Sequence, residues 1–380
     1  MKNKEKVLLA MSGGVDSSVA ALLLKKQGYE VIGAFMKNWS DTKDPVTGRC
    51  AWRNERDFAI KIAAKLKIPF ITLDFEKQYR TEVIDKMFEK YKKGITPNPD
   101  IDCNQKIKFP LLIKEAKKRK INLVATGHYA RNNFNKKTNK YELLRGKDES
   151  KDQSYFLYKI KQSELKHTLF PIGEMTKIQI RDIAKKNNFI NHDKKGTVGI
   201  CFVGKINLKD FLQKKIKPKK GKILDPKGDI IGEHDGIYYY TIGQRLGPRY
   251  GFELDRISNK NTNKPKEQQL ERWYVARKNA KTNTIIAAPK NHPINFRKKI
   301  ILKEFHLISE DKNEFKKKTK RIYSRIRNVG ELLPSKIQFN KSKNQFEITL
   351  NKAITGVSEG QAIVIYKKDK VLGGGVISFN

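Results

Sequence analysis

The chain has 380 residues, with 81 Lys+Arg against 40 Asp+Glu and a formal charge of +41 at pH 7, enough length for two or three domains with a real core. Mean hydropathy is −0.66, and no apolar run approaches the roughly 20 residues of a membrane span, which excludes an integral helical membrane protein. Three cysteines without a C-x-x-C pair exclude a disulfide scaffold and give no zinc signature.

Met1 to Lys6 runs straight into an apolar segment, with neither a signal-peptide core nor an Arg- and Ser-rich transit segment, so the expected location is the cytoplasm. Val7–Met11 reads as a strand, Ser12–Ser18 as a turn, and Val19 to Lys26 as a helix stopped by Gly28. Strands follow at Val31–Met36 and Pro69–Phe75, with helices over Arg53–Leu66 and Thr81–Lys93. Gly and Pro punctuate Gly94 to Asn98, which places Pro97-Asn98-Pro99-Asp100 in a loop. Phe109–Lys118 returns to helix and Leu123–Thr126 to strand, ending at Gly127-His128. This alternation predicts an α/β, Rossmann-like parallel sheet that binds its ligand beyond the carboxyl ends of the strands.

The composition shifts after Cys201-Phe202-Val203-Gly204. A Lys/Pro/Gly stretch at Lys214–Lys222 leads into strand-like pieces such as Gly236–Ile242, and Asn259–Gln269 reads as a linker. Beyond Trp273, seven short strands suggest a β-barrel: Thr284–Ala288, Lys299–Phe305, Lys320–Ile326, Lys336–Phe339, Gln345–Leu350, Ala362–Tyr366 and Val371–Ser378. The expected domains are 1–204 (catalytic), 205–270 (small, central) and 271–380 (barrel).

The charge points to a polyanion such as nucleic acid. Only 17 of the 81 basic residues are Arg, however, and Lys-rich segments recur along the whole chain. Compositional drift with surface-solvating lysines explains much of that excess equally well.

Ser12-Gly13-Gly14-Val15-Asp16-Ser17 lies between the first strand and the first helix. Two glycines let the backbone approach a phosphate, the hydroxyls can donate, and the helix N-terminus supplies N–H groups and a positive dipole end. The segment lacks the G-x-x-x-x-G-K-S/T pattern of P-loop kinases and GTPases. S-G-G-V-D-S-S resembles instead the pyrophosphatase loop of the ATP-dependent adenylating enzymes, which cleave ATP to AMP and pyrophosphate.

Further segments narrow the resemblance. They are Phe35-Met36-Lys37-Asn38-Trp39, Thr96 to Asn104, Ala125 to Tyr129, Lys151 to Leu157, Gly199 to Gly204 and Tyr240 to Arg245, in that order. The ordered set resembles the tRNA-specific 2-thiouridylases (tRNA-uridine 2-sulfurtransferases) over essentially the whole chain. The cysteines fit independently, because thiol transfer needs a sulfur carrier and a second thiol to resolve it. Cys103 lies in a polar stretch beside Asp100 and Cys201 in a Gly-flanked apolar one, while Cys50 reads as structural.

The resemblance implies ATP held by Ala10, Met11, Ser12, Gly13, Gly14, Val15, Asp16 and Ser17, with Met36 and Gly127 lining the adenosine site and Mg²⁺ bridging the phosphates. It implies adenylation of the C2 oxygen of the tRNA wobble uridine (position 34), then sulfur delivery from a Cys201 persulfide to give 2-thiouridine. Cys103 is the implied nucleophile that releases sulfide or resolves the transfer through a Cys103–Cys201 disulfide. Asp100 is the implied acid/base, with Asn98, Pro99 and Asp100 against the target base. Lys151, Asp152, Gln153, Arg325 and Ile326 match segments that contact tRNA in the family. The implied partners are tRNAs of the Lys, Glu and Gln acceptors, and a sulfur-relay protein or a cysteine desulfurase as persulfide donor. The implied chain is a monomer with no membrane partner and no resident metal.

Three departures stand out. Asp102 replaces an apolar residue before Cys103 and is expected to raise its thiol pKa unless a cation compensates. Gly196-Thr197-Val198-Gly199 replaces the family's lead-in to the second cysteine, and Gly247-Pro248-Arg249 is atypical. Two rival readings are another adenylating synthetase, which needs no cysteine pair, and an RNA-binding protein that has lost catalysis.

Overall fold

Five parallel strands build the first domain. In the computed structural model they are β1 (Lys6–Ala10), β2 (Glu30–Lys37), β3 (Phe70–Asp74), β4 (Leu123–Ala125) and β7 (Thr168–Leu169). The structure describes residues 4–42, 48, 50–196, 199–204, 206–247, 272–311, 315, 322–340 and 342–379. Strand order is β3-β2-β1-β4-β7, so the chain's direction of winding reverses between β1 and β4. A crevice at the carboxyl ends of those two strands is where such a sheet takes its ligand.

Alternation along β1 explains the two packed faces. Val7 and Leu9 join one core with Val19 of α1 (Val15–Lys26), Ile62 of α2 (Ala51–Lys65) and Ile180 of α7 (Lys177–Lys186). Leu8 points to the opposite core, where Leu112 and Ala116 of α6 (Phe109–Lys118) cover the sheet. Between these elements, α3 (Glu76–Tyr79) continues through a widened i→i+5 turn, Arg80–Asp85, into α4 (Lys86–Lys92). The helix expected over Thr81–Lys93 is thus longer at its start and over-wide in its middle.

The central sheet has order β10-β11-β8-β9, built from β8 (Gly221–Leu224), β9 (Ile230–His234), β10 (Trp273–Asn279) and β11 (Thr284–Pro289). Thr284–Ala288, expected in the barrel, therefore belongs to the central sheet, and that sheet runs past the expected boundary at 270. Gly236–Ile242 holds a 3₁₀ turn at Ile237–Tyr239 rather than a strand. The expected linker at Asn259–Gln269 lies outside the described residues.

The barrel closes with six strands: β12 (Phe296–Leu307), β15 (Gln345–Thr355), β14 (Leu333–Asn340), β13 (Ile322–Arg325), β16 (Ala362–Lys367) and β17 (Lys370–Ser378), with β12 pairing β17. Ile300, Ile348, Ile363 and Ile377 fill its interior. A hairpin of the first domain, β5 (Ala130–Asn135) and β6 (Lys140–Arg145), lies against β17 through Lys370 and Leu144. Arg131 reinforces that seam with an ion pair to Asp369 at 2.9 Å. The α/β class with a Rossmann-like sheet, a small central domain and a C-terminal β-barrel is the architecture found.

Candidate active site

At the carboxyl end of β1, Ser12 to Ser17 turns into α1, whose N-cap residue Gly14 has no side-chain cap. The first-turn N–H groups of a helix 12 residues long are thereby left to a ligand, and the dipole favours an anion there. Ser12 and Ser17 hold their hydroxyl oxygens 3.3 Å apart, and Ser17 and Ser18 both donate to the Gly14 carbonyl, at 3.1 and 3.0 Å. Gly13 takes a φ of +77° and packs so tightly on the Glu55 carbonyl that a side chain could not fit. These residues fit a phosphate group. Asp16, the carboxylate of the loop, is held by Lys177 at 2.6 Å and by the Tyr129 hydroxyl at 2.7 Å.

Gly127, just beyond β4, presses on the same loop: a Cβ there would lie 2.8 Å from the Ser17 nitrogen. Met11, Val15 and Met36 are buried core side chains, so they can serve a nucleotide only through their backbone or their packing. Ala10 closes β1 and is half-buried.

The two cysteines meet on the neighbouring side of the domain. Asn98 caps α5 (Pro99–Cys103) by accepting from the Ile101 N–H at 3.4 Å, and Pro99 takes the first helical position. Pro99 and Asp100 therefore open a helix, where a loop was expected, and Cys103 ends it wholly buried. Cys201 sits on a tight turn in which the Gly204 N–H donates to the Ile200 carbonyl at 2.9 Å, with Phe202 and Gly204 at positive φ. The Tyr79 hydroxyl donates to the Cys201 carbonyl, and the Cys201 N–H donates to Asp100 Oδ1 at 2.9 Å. The Sγ atoms of Cys103 and Cys201 stand 3.9 Å apart as free thiols.

Electrostatics separates the pair. Burial, then the hydrogen bond to Cys201, pushes the Cys103 thiol well above its ordinary range. The same hydrogen bond lowers Cys201; burial opposes it, and the charge of Lys108 outweighs part of that burial. Burial raises the Asp100 carboxyl. Asp102 lies 3.5 Å from the Lys90 ammonium, a cation of the kind that would compensate its charge. Thr197 and Val198, in the atypical lead-in to Cys201, lie outside the described residues, as do Pro248 and Arg249.

All three domains grip the strand of chain before α5. Gln361 of the barrel donates to the carbonyls of Thr96 and Pro97 at 2.9 and 2.8 Å, and the Thr96 hydroxyl lies 3.2 Å from that of Thr241 in the central domain. Asn98, Pro99 and Asp100 are half-buried at this junction.

Three family models cover nearly the whole chain: a tRNA methyl transferase HUP domain over 5–205, a tRNA methyl transferase PRC-barrel domain over 209–289, and an aminomethyltransferase β-barrel domain over 297–377. The tRNA-specific 2-thiouridylase MnmA 1 of Geobacillus kaustophilus is 39% identical over 375 residues, covering 98% of this chain and 95% of its own. MnmA 2 of Aliarcobacter butzleri is 38% identical over 391 residues and 100% of both chains. The chain belongs to the MnmA family of tRNA-specific 2-thiouridylases. It is an enzyme of that family. A solved 4-thiouridine synthetase in complex with RNA and ATP aligns at 18% identity, with a TM-score of 0.36 over 55% of this chain and 50% of its own.

For a 2-thiouridylase, the segments expected at tRNA show an uneven surface. Lys151 is exposed, and Gln153 is half-buried with its side-chain oxygen accepting from the Tyr129 N–H at 3.0 Å. Asp152 is wholly buried, bridging Arg325 at 2.7 Å and Arg145 at 3.5 Å, and Ile326 is buried beside them. In this conformation Asp152 and Arg325 serve one another. A cavity of about 380 Å³ opens over this cluster, lined by Arg145, Arg325, Ser150 and Glu331 among others.

Lys108, His128, Lys177 and Gln361 of this MnmA-family chain join the site without being among its expected residues. Lys108 and His128 lie within or beside the motif segments, five positions after Cys103 and one after Gly127. Gln361 carries no local signal, since its partners are more than 260 positions away.

Proposed function

We propose that this protein installs sulfur at C2 of the tRNA wobble uridine, at position 34, at the expense of ATP. The observation that carries the reading is the free cysteine pair, 3.9 Å apart, in one domain with an uncapped Ser-Gly-Gly helix start at the sheet's switch point. Ser12 to Ser17 would hold the phosphates, with Mg²⁺ entering alongside them. Bound ATP supplies the adenylyl group that makes the uridine C2 oxygen a good leaving group.

Cys201 is the residue suited to carry sulfur, since its thiol is lowered and it is the more exposed of the two. In the direct route its terminal persulfide sulfur attacks C2 and AMP departs with the former C2 oxygen. Cys103 then attacks Cys201 Sγ and frees the 2-thiouridine. In the sulfide route Cys103 attacks Cys201 Sγ first, and the released sulfide attacks C2. Both routes form a Cys103–Cys201 disulfide, so each turnover consumes two electrons from a thiol reductant before the next persulfide is loaded. The sulfur-relay protein or cysteine desulfurase would meet Cys201 from its exposed side. Asp100 anchors the Cys201 backbone and, as a carboxyl raised by burial, can hold a proton near the reacting base.

The test is mass spectrometry of nucleosides from the Lys, Glu and Gln tRNAs after incubation with ATP, Mg²⁺, a persulfide source and reductant. 2-Thiouridine at position 34 is expected, dependent on ATP. Its absence with every acceptor overturns the reading.

A further inference from the structure

Lys108 presents an arrangement that the thiolation scheme does not use. It closes the widened turn Asn104–Lys108 that follows Cys103. In such a turn residues five apart come onto one face, so Cys103 and Lys108 both reach Cys201. Lys108 Nζ lies 3.9 Å from Cys201 Sγ and 3.3 Å from His128 Nε2. The Phe202 ring covers it at 5.7 Å. Among the described residues, no carboxylate comes within ion-pair distance of this ammonium.

His128 cannot supply the missing negative charge. Its Nδ1 is 2.8 Å from Thr126 Oγ1, and it is packed between Phe109 and Phe170. Burial and the neighbouring Lys108 hold its imidazole well below the ordinary range, so it is neutral. The neutral ring accepts the ammonium's hydrogen bond at Nε2 and donates from Nδ1 to Thr126. An ammonium drawn into such surroundings is costly unless an anion stands beside it. The sulfur of Cys201 is the atom in that position.

We propose that Lys108 holds Cys201 as an anion, thiolate at rest and terminal persulfide once charged, with neutral His128 as the positioning residue that fixes the ammonium. The persulfide half of this statement rests on the thiolation reading, whereas the thiolate half does not. Of the other groups facing Cys201, Cys103 also favours the anion through its hydrogen bond, whereas Asp100 opposes it and Tyr79 is neutral. Asp100 from α5 is negative when ionised, Cys103 from α5 keeps its proton and donates it, and the Tyr79 phenol is raised by burial. Lys108 responds in kind: burial alone would lower it, but the charge of Cys201, with that of Asp100 behind it, outweighs burial and raises it.

The test is the pH profile of Cys201 alkylation by iodoacetamide, followed peptide by peptide in mass spectrometry, without ATP or tRNA. The wild-type profile should have its midpoint below the ordinary thiol value of about 8.5. Lys108→Met should move the midpoint up and slow alkylation near neutral pH by about tenfold, one unit of midpoint being a factor of ten in thiolate. Lys108→Arg should restore most of the loss. A wild-type midpoint at or above the ordinary value, or a Lys108→Met profile identical to wild type, overturns the proposal. If Lys108→Met does not fold, the wild-type and Lys108→Arg midpoints decide, and both must lie low. Because the readout needs no tRNA, failure here is distinct from failure to form 2-thiouridine.

Discussion

Cys103 and Cys201, 98 positions apart in sequence, face each other at 3.9 Å, with Cys103 wholly buried and Cys201 half-buried. On the proposed scheme this asymmetry sets an order: Cys201 is loaded first and the enclosed Cys103 thiol acts second. Cys201→Ser should abolish 2-thiouridine while pyrophosphate release with tRNA, the adenylation step, persists. Cys103→Ser should accept sulfur at Cys201 and accumulate it, with turnover lost. Mass spectrometry of the Cys201 peptide reads the persulfide, and a Cys103→Ser enzyme that turns over normally would remove the assigned role.

The nucleotide side can be probed through Gly127. An alanine there puts Cβ 2.8 Å from the Ser17 nitrogen and 3.0 Å from the Asp16 carbonyl carbon, both backbone atoms that cannot step aside without moving the loop. Displacing a binding loop by a few tenths of an ångström to 1 Å should raise the KM for ATP by roughly tenfold to a hundredfold. Affinity for tRNA should stay near wild type. An unchanged KM for ATP would show that Gly127 serves packing alone.

The parts of this site that were legible in sequence are those whose chemistry is local. Ser12 to Ser17 announces itself because a strand, two glycines and a helix start are contiguous, and the α/β alternation placed that loop at a strand's carboxyl end. Cys103 was misplaced for the opposite reason. Its neighbours Asp100, Asp102 and Asn104 are polar, whereas the core it joins, with Tyr79, Tyr155 and Phe211, is assembled only by the fold. The helix Pro99–Cys103 carried its cap and its N1 proline in sequence, but it is five residues long and runs into a widened turn, so no periodicity declared it. Thr284–Pro289 shows the same limit for strands: its pattern says strand, whereas its partners, β8 and β10, are a property of the assembled sheet.

Gln361 tests whether the barrel positions the target-base segment. Its side-chain amide donates to two carbonyls, Thr96 and Pro97, immediately before the helix that bears Asp100 and Cys103. Gln361→Leu leaves both carbonyls unpaired, at about 1–3 kcal/mol for a buried one. Thiolation turnover should fall by tens of fold while the KM for ATP holds, because the phosphate loop lies in another part of the domain. Equal losses in both would mean a general loss of fold instead.

Asp152 makes a stability prediction separable from RNA binding. It is wholly buried, bridges Arg325 and Arg145, and accepts from the Gly146 and Ser154 N–H groups at 3.0 and 3.1 Å. Asp152→Asn can keep the backbone bonds but leaves two enclosed guanidinium groups without their shared anion. Removing one member of a buried ion pair costs about 3–5 kcal/mol. A lowered chemical-denaturation midpoint without tRNA is therefore expected. An unchanged midpoint with weakened tRNA binding would instead make Asp152 a contact residue that is only masked in this conformation.

The large positive charge allows one last quantitative expectation. Many of the cations already have internal work: Lys177 holds Asp16, Lys194 holds Glu55, and Lys159 holds Glu304. Lys278 donates to the Tyr240 carbonyl at 2.7 Å, and burial pushes its ammonium down to about 8. The remainder is spread along the whole chain, so a bound tRNA can cover only part of it. Each neutralised phosphate contributes roughly −0.7 to −0.9 to the slope of log K against log salt, and about ten contacts give a slope no steeper than about −9. Filter binding or anisotropy across a salt series measures it directly. A slope several times steeper would show that the dispersed lysines themselves engage RNA, and that the net charge of +41 is a binding surface rather than mainly a solvated one.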